Sequence, residues 1–205
     1  MLQYEVVTFA TPVGATPKCL PAIAAYMAGG NHRGTLRACW YSDIGALNEI
    51  MVIREFASDA ERAAERERMV ADGNPFGIGD FANAMTVANY TLFPFLPAIG
   101  AGNDGPFYEV RSYTLRPSGL TPTIEAWQVA VPTRVKLSPL VAAMYTVDGA
   151  MPGYLHIWPW KSLDERSRVR AAAVEAGVWP PKGGPDHILT MRNSIFIPAA
   201  FSPLQ

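Results

Sequence analysis

The chain has 205 residues, 49% of them apolar and 17% charged, against ~25% charged in an ordinary soluble domain. That composition excludes a disordered chain and supplies ample apolar material for a core, with part of the surface hidden in a cavity or against another subunit. Seventeen basic and eighteen acidic residues nearly cancel, which excludes a long-range positive field that would draw the chain to nucleic acid or an anionic membrane.

In chain order, Met1-Leu2-Gln3 runs straight into a strand over Gln3–Phe9, without a basic segment, an apolar leader or an Arg-rich amphipathic one, so a cytoplasmic protein is expected. Thr16-Pro17 offers an N-cap hydroxyl and a proline at the first helical position, and Leu20, Ile23 and Met27 continue as one apolar helical stripe. Strands follow over Leu36–Tyr41 and Glu49–Phe56, joined by a Gly-containing hairpin loop. Ser58 and Glu61 then form a capping box that opens a second helix, which Gly73 stops. A fourth strand near Met85–Phe93 ends at Pro94. The longest apolar stretches, such as Thr91–Ile99, are broken by Pro94 and Pro97 and fall well below the ~20 residues of a membrane helix, so no membrane span is expected.

The same order then starts again. At an offset of 104, residues 4–94 align with 108–198 without a gap, and 20 of the 91 pairs are identical. Unrelated stretches of this composition match at roughly six or seven, so the chain is an internal repeat. Tyr4-Glu5-Val6 recurs as Tyr108-Glu109-Val110, and Ser58-x-x-Glu61-Arg62-x-x-x-Arg66 as Ser162-x-x-Glu165-Arg166-x-x-x-Arg170. The second copy has strands over Phe107–Leu115, Leu140–Thr146, Tyr154–Trp160 and Leu189–Ile197. Its first helix is introduced by Thr121-Pro122 and striped by Ile124, Trp127 and Val131; its second is stopped by Gly177.

β-α-β-β-α-β is the order of the ferredoxin-like unit, whose sheet has helices on one face only. The predicted fold class is therefore α+β: two tandem ferredoxin-like βαββαβ repeats, residues 1–100 and 101–205, covering each other's bare faces as a dimeric-type α+β barrel.

Tyr108-Glu109-Val110-Arg111-Ser112-Tyr113, the strand His156-Ile157-Trp158-Pro159-Trp160, the helix start Ser162-Leu163-Asp164-Glu165-Arg166 and the downstream Trp179 stand in an order that resembles the NIPSNAP family. The resemblance covers essentially the whole second repeat. The first repeat is a weaker copy, with Val7 for the arginine, Val52 for the histidine and Arg54 for the first tryptophan. The resemblance implies a dimeric α+β barrel with its two units covalently joined, and implies no activity. Related barrels include cofactor-free monooxygenases, haem-binding degraders and small-molecule isomerases, so function must be argued from the site.

Strand alternation separates two faces. We assign the aliphatic set with Tyr108, Val110, Leu155 and Ile157 to the helices, which leaves Glu109, Arg111, Tyr113, His156, Trp158 and Trp160, with Glu5, Arg54 and Phe56 of the first repeat, to line the barrel interior. Such a lining suits a small apolar or aromatic metabolite. Glu109, Arg111 and His156 are the candidate catalytic residues: an imidazole to move a proton, a carboxylate to orient it and a guanidinium to hold an anionic oxygen. Tyr113, Trp158, Trp160, Glu5, Arg54 and Phe56 are the candidate ligand-binding residues.

Each has a plainer alternative. Glu109 and Arg111 can pair internally with Glu5 and Arg54 across the pseudo-twofold while His156 hydrogen-bonds a tyrosine, and the aromatic residues can be core. Arg62, Arg66, Arg166 and Arg170 can bind an anion or form a solvated charged face. The alternative functions are a non-catalytic scaffold with a filled barrel and a haem-binding barrel that uses His156 or His32 as axial ligand.

No cofactor is expected. No metal is expected either, because His32, His156 and His187 lack chelating spacing. Gly77-Ile78-Gly79 is not a dinucleotide fingerprint. Cys19 and Cys39 read as buried free thiols. The expected partners are a small-molecule ligand and further copies of the chain, since low charge suits homo-oligomer contacts.

Overall fold

In the computed structural model, which describes residues 2–205, both halves of the chain follow one element order. The first half contributes β1 (Gln3–Ala10), α1 (Thr16–Ala28), β2 (Thr35–Ile44), β3 (Glu49–Phe56), α2 (Asp59–Asp72) and β4 (Ala84–Leu92). The second contributes β5 (Phe107–Leu115), α3 (Leu120–Arg134), β6 (Ala142–Thr146), β7 (Gly153–Trp160), α4 (Leu163–Glu175) and β8 (Ile188–Pro198).

Local chemistry sets these boundaries. Ser58 and Ser162 accept from the Glu61 and Glu165 amides at 3.2 and 3.0 Å, while the two glutamates accept from the Ala57 and Lys161 amides at 2.9 and 2.8 Å. The capping boxes thus form in both copies, with the glutamate reaching one residue further back than the standard motif. At Gly73 the backbone turns left-handed with φ 71°, a conformation that glycine adopts without strain, and α2 ends there. The expected threonine caps do not form. Ala15 and Gly119 occupy the N-cap positions, and Thr16 and Thr121 lie inside the helices. Pro17 and Pro122 fall in the first turn, where a missing N–H removes one of the amides that a cap would otherwise satisfy.

Each half orders its strands as β4-β1-β3-β2 or β8-β5-β7-β6. Alone, each sheet would end in two unpaired edges. Instead β2 pairs antiparallel with β8, from Trp40↔Pro198 to Ile44↔Ile195, and β4 pairs with β6, from Tyr90↔Thr146 to Leu92↔Met144. Eight strands therefore close into one barrel.

Tyr4, Val6, Trp40, Met51, Tyr108, Val110, Leu155 and Phe196, drawn from both halves, meet inside it. Trp40 stacks on Tyr108 with ring centroids 4.3 Å apart. One end is stoppered: Trp40 Nε1 donates to the Leu204 carbonyl at 3.1 Å, Tyr108 Oη to the Gln205 carbonyl at 2.9 Å, and the Ile99 amide to Tyr4 Oη at 3.2 Å. Toward the other end a space of about 280 Å³ opens beside Val6, Met51, Val110 and Leu155, with Glu49 and Arg192 at its rim.

The four helices pack outside. Cys19, Ile23 and Met69 lie on Val7, Phe9 and Val52; Trp127, Val131 and Val169 lie on Tyr113, Trp158 and Trp160. This reverses the expected assignment of strand faces. Glu109, Arg111, Tyr113, His156, Trp158 and Trp160 face the helices, as do Glu5, Arg54 and Phe56, and the aliphatic set fills the barrel. The physical reason is that charged side chains on the sheet can be neutralised only where helical arginines reach them, and no helix enters the barrel.

Among the described residues, no helix is long and apolar enough to cross a membrane. Cys19 and Cys39 are free and buried in the core under α1, and burial pushes the Cys39 thiol up to about 12.

Candidate functional site

Two clusters of buried charge occupy equivalent places, one between sheet and helices in each repeat. In the first, Arg54 Nη1 donates to Glu65 Oε1 at 2.8 Å and Nη2 donates to Glu5 Oε1; all three side chains are fully buried. Arg66 from α2 donates to Glu5 Oε2 at 2.9 Å and to Asn89 Oδ1 at 2.8 Å, and Asn89 Nδ2 donates onward to Asp148 across the β4–β6 seam. Burial pushes the Glu65 carboxyl up, but hydrogen bonds from Arg68, the Arg33 amide and Arg54 outweigh it and hold the pKa at about 2. Phe76 lies over the Arg54 guanidinium at 4.7 Å and packs edge-on against Phe9, so this space is filled.

In the second repeat Glu109 Oε1 accepts from Arg111 Nη1 and from Arg166 Nη2, both at 2.7 Å, and Oε2 accepts from Trp160 Nε1 at 3.1 Å. Burial pushes this carboxyl up as well, and the hydrogen bonds from Arg166 and Arg111 more than reverse it, so Glu109 stays ionised. Arg111 Nε also donates to Tyr113 Oη. The buried pairs thus form within each repeat and not across the pseudo-twofold. Glu5, Arg54 and Phe56 form the first cluster and do not reach the second.

Beside Glu109 the second repeat is open. A pocket of about 370 Å³ is walled by Arg111, Tyr113, Trp127, Tyr154, His156, Arg170 and Trp179 and roofed by Pro180, Pro181 and Pro185. Exposed Val174, Leu189 and Met191 ring its mouth. Trp158 and Trp160 support the wall from behind and do not line it. Strand alternation could not reveal Trp127, Arg170 or Trp179 as site residues, since they come from helices and a loop. Equality between the copies was the available signal for Arg170, which recurs as Arg66.

His156 is 2% exposed. Its Nδ1 accepts from Trp158 Nε1 at 2.7 Å, which places the proton of the neutral ring on Nε2, and Nε2 is buried without a partner among the described residues. Trp127 and Tyr113 meet the ring edge-on at 4.8 and 5.0 Å and Tyr154 stacks at 5.6 Å. Burial, then the charges of Arg111, Arg170 and Arg134, hold the imidazole well below its usual pKa. The expected carboxylate partner is absent, because Glu109 is committed to arginines and Trp160. His156 is thus a neutral N–H donor with no lone pair to spare, and the Glu109–Arg111–His156 group does not assemble as an acid–base unit.

Haem does not fit these residues: with Nδ1 taken by Trp158 the proton of His156 sits on Nε2, which leaves no lone pair for an iron, and His32 Nε2 is engaged at 2.8 Å with the Met27 carbonyl. Among the described residues no group of three His, Cys, Asp or Glu is placed to hold a metal ion.

The NIPSNAP family model matches residues 4–85 and 108–203, which is most of the chain and both repeats. The chain belongs to the NIPSNAP family. It is 23% identical over 152 residues to the Protein NipSnap homolog of Dictyostelium discoideum, a match that covers 74% of this chain and 66%, just under two thirds, of that relative. In three dimensions it resembles an anthrone oxidase-like protein, with TM-score 0.69, 10% identity and coverage of 97% of this chain and 91% of the other. It also resembles a proposed monooxygenase from Lactobacillus acidophilus, with TM-score 0.68, 9% identity and coverage of 96% and 93%. Both likenesses concern the fold.

In this tandem NIPSNAP chain the buried histidine couples folding to pH. The unfolded imidazole takes up a proton as pH falls through 6.5, whereas the folded one resists until well below it, so stability present above pH 6.5 is lost on acidification. The slope from this one group reaches at most about 1.4 kcal/mol per pH unit. Urea midpoints at pH 7.5 and 5.5 should show the wild type losing stability. His156→Gln, which keeps an acceptor for Trp158 Nε1, should lose measurably less, and equal losses would contradict the assignment.

Proposed function

We propose that the second-repeat pocket binds a small, mostly apolar or aromatic metabolite and stabilises an oxyanion on it, in service of cofactor-independent proton transfer or oxygenation. The observation that carries this reading is the orphaned His156 Nε2–H in the aromatic wall of a 370 Å³ pocket. A buried donor without a partner costs free energy in the empty protein, and a ligand oxygen would relieve it. Aromatic walls with a few convergent donors are the usual make-up of a small-molecule site. The barrel interior is largely filled, as the scaffold alternative expects, and it is the open pocket outside the barrel that favours binding.

The site has donors and no free base. It therefore suits a substrate acidic enough to pass its proton to solvent water, whose electron-rich anion can then itself reduce dioxygen. The names of the anthrone oxidase-like and monooxygenase neighbours agree with this chemistry. Anthrone is the natural first probe. Quenching of Trp127 and Trp179 fluorescence by anthrone should saturate, and oxygen uptake should exceed the spontaneous rate. Val174→Trp at the mouth should abolish saturation, and His156→Leu should cut uptake by ~10²-fold, the effect of removing one oxyanion donor. Saturation that survives Val174→Trp unchanged would place the ligand elsewhere.

A further inference from the structure

We infer that the ligand of the second-repeat pocket is an anion, an aromatic carboxylate whose charge is held by Arg170 and Arg111. The inference rests on the proposed binding role of that pocket and adds its charge. Its basis is an imbalance between two copies of one design. In the first repeat, Arg66 donates through both Nε and Nη2 to Glu5 Oε2 and so is neutralised. In the second repeat its counterpart Arg170 stands 3.8 Å from Glu109 Oε1, beyond hydrogen-bond distance. The oxygen it would take is already held by Arg166 and by Arg111, which stands where the first repeat has Val7.

Held to the carboxylate only by this long ion pair, without a hydrogen bond, Arg170 forms part of the pocket wall with Arg111. Its side chain is 33% exposed, so the mouth of the pocket admits solvent to it. Arg134 adds a further positive charge behind the wall: it is buried, lies 4.4 Å over the Trp158 ring, donates to Ser138 Oγ at 2.7 Å and makes no salt bridge among the described residues. Four guanidinium groups thus surround one carboxylate, whereas the first repeat sets Arg54, Arg66 and Arg68 against Glu5 and Glu65. Uncompensated charge in a partly buried site is unfavourable until an anion enters. The pocket dimensions and the rings of Tyr113, Trp127 and Trp179 require that this anion carry an apolar, flat body.

The test compares 2-naphthoate with 2-naphthamide, a neutral molecule of nearly the same shape, by calorimetric titration at 50 and 500 mM NaCl. The naphthoate should bind ten- to a hundredfold more tightly at low salt, the range of a charge-assisted hydrogen bond, and its advantage should shrink at high salt. Arg170→Met should erase the preference and Arg170→Lys restore part of it. Neither change orphans Glu109, which keeps Arg111 and Arg166, and matching thermal melts verify folding. Equal affinity for the two probes, with the pocket still blocked by Val174→Trp, overturns the anion inference and leaves the pocket reading standing. Failure of both probes to bind at millimolar concentration overturns the pocket reading and the inference with it.

Discussion

Arg54→Met will destabilise the fold by about 3–5 kcal/mol, the usual consequence of removing one partner from a buried ion pair. Methionine matches the length of the arginine stem and preserves the apolar contacts with Phe56 and Phe76, so packing is largely kept. What is lost is the cation between Glu5 and Glu65, both fully buried. Arg68 still holds both oxygens of Glu65 and Arg66 still reaches Glu5 Oε2, which limits the loss, but Glu5 Oε1 is left buried without a partner. Urea denaturation at pH 7 measures it. The double change Arg54→Met, Glu5→Gln should recover part of the stability, because Glu65 keeps Arg68 and no buried carboxylate then lacks a counterion, while Arg66 is exposed enough to be solvated. A loss below about 1 kcal/mol for Arg54→Met alone would show that the network is slack.

Phe76→Ala should cost a comparable amount, about 3–5 kcal/mol, and should open in the first repeat the space that the second keeps open. Phe76 is fully buried against Phe9, Tyr26 and Arg54, yet its backbone has φ 54°, a left-handed conformation rare for a bulky side chain. The packing of the ring holds that strained turn in place. Phe76→Gly therefore removes the same ring while relieving the backbone, and should be less destabilising than Phe76→Ala by about 1 kcal/mol. Denaturation curves for the two variants decide it: equal losses would mean that the turn is not strained. The second repeat has Pro180 at the matching position, and Pro180 roofs a pocket instead of filling one.

Much of the architecture was legible in the residues because it is locally encoded. The capping boxes at Ser58 and Ser162, the left-handed stop at Gly73 and the repeat itself needed no tertiary information. The orientation of the strands was not legible, and β7 shows why: all eight residues of Gly153–Trp160 are buried, so alternation marks two faces without saying which layer covers either. Size misled as well, since the interior takes Trp40 and Tyr108 beside its aliphatic residues, and the rings of Trp158 and Trp160 lie under helices. Glu109, Arg111 and His156 were found as neighbours, but their roles depend on Arg166, Arg170 and Trp158. The rotamers that bring those groups in, or hold Arg170 off, are decided by packing between distant elements.

The closing of the barrel also sets an order of events. β2 finds its second partner only in β8, and β4 only in β6, so β2 waits through most of the synthesis of the chain, and β4 until Ala142–Thr146 has emerged, with bare amides and an uncovered apolar face. Such long-range antiparallel pairing folds slowly and leaves adhesive edges exposed meanwhile. A ribosome that stalls within the second half would release a sticky half-barrel, whose ready remedy is a second copy of itself seated where β8 and β6 belong.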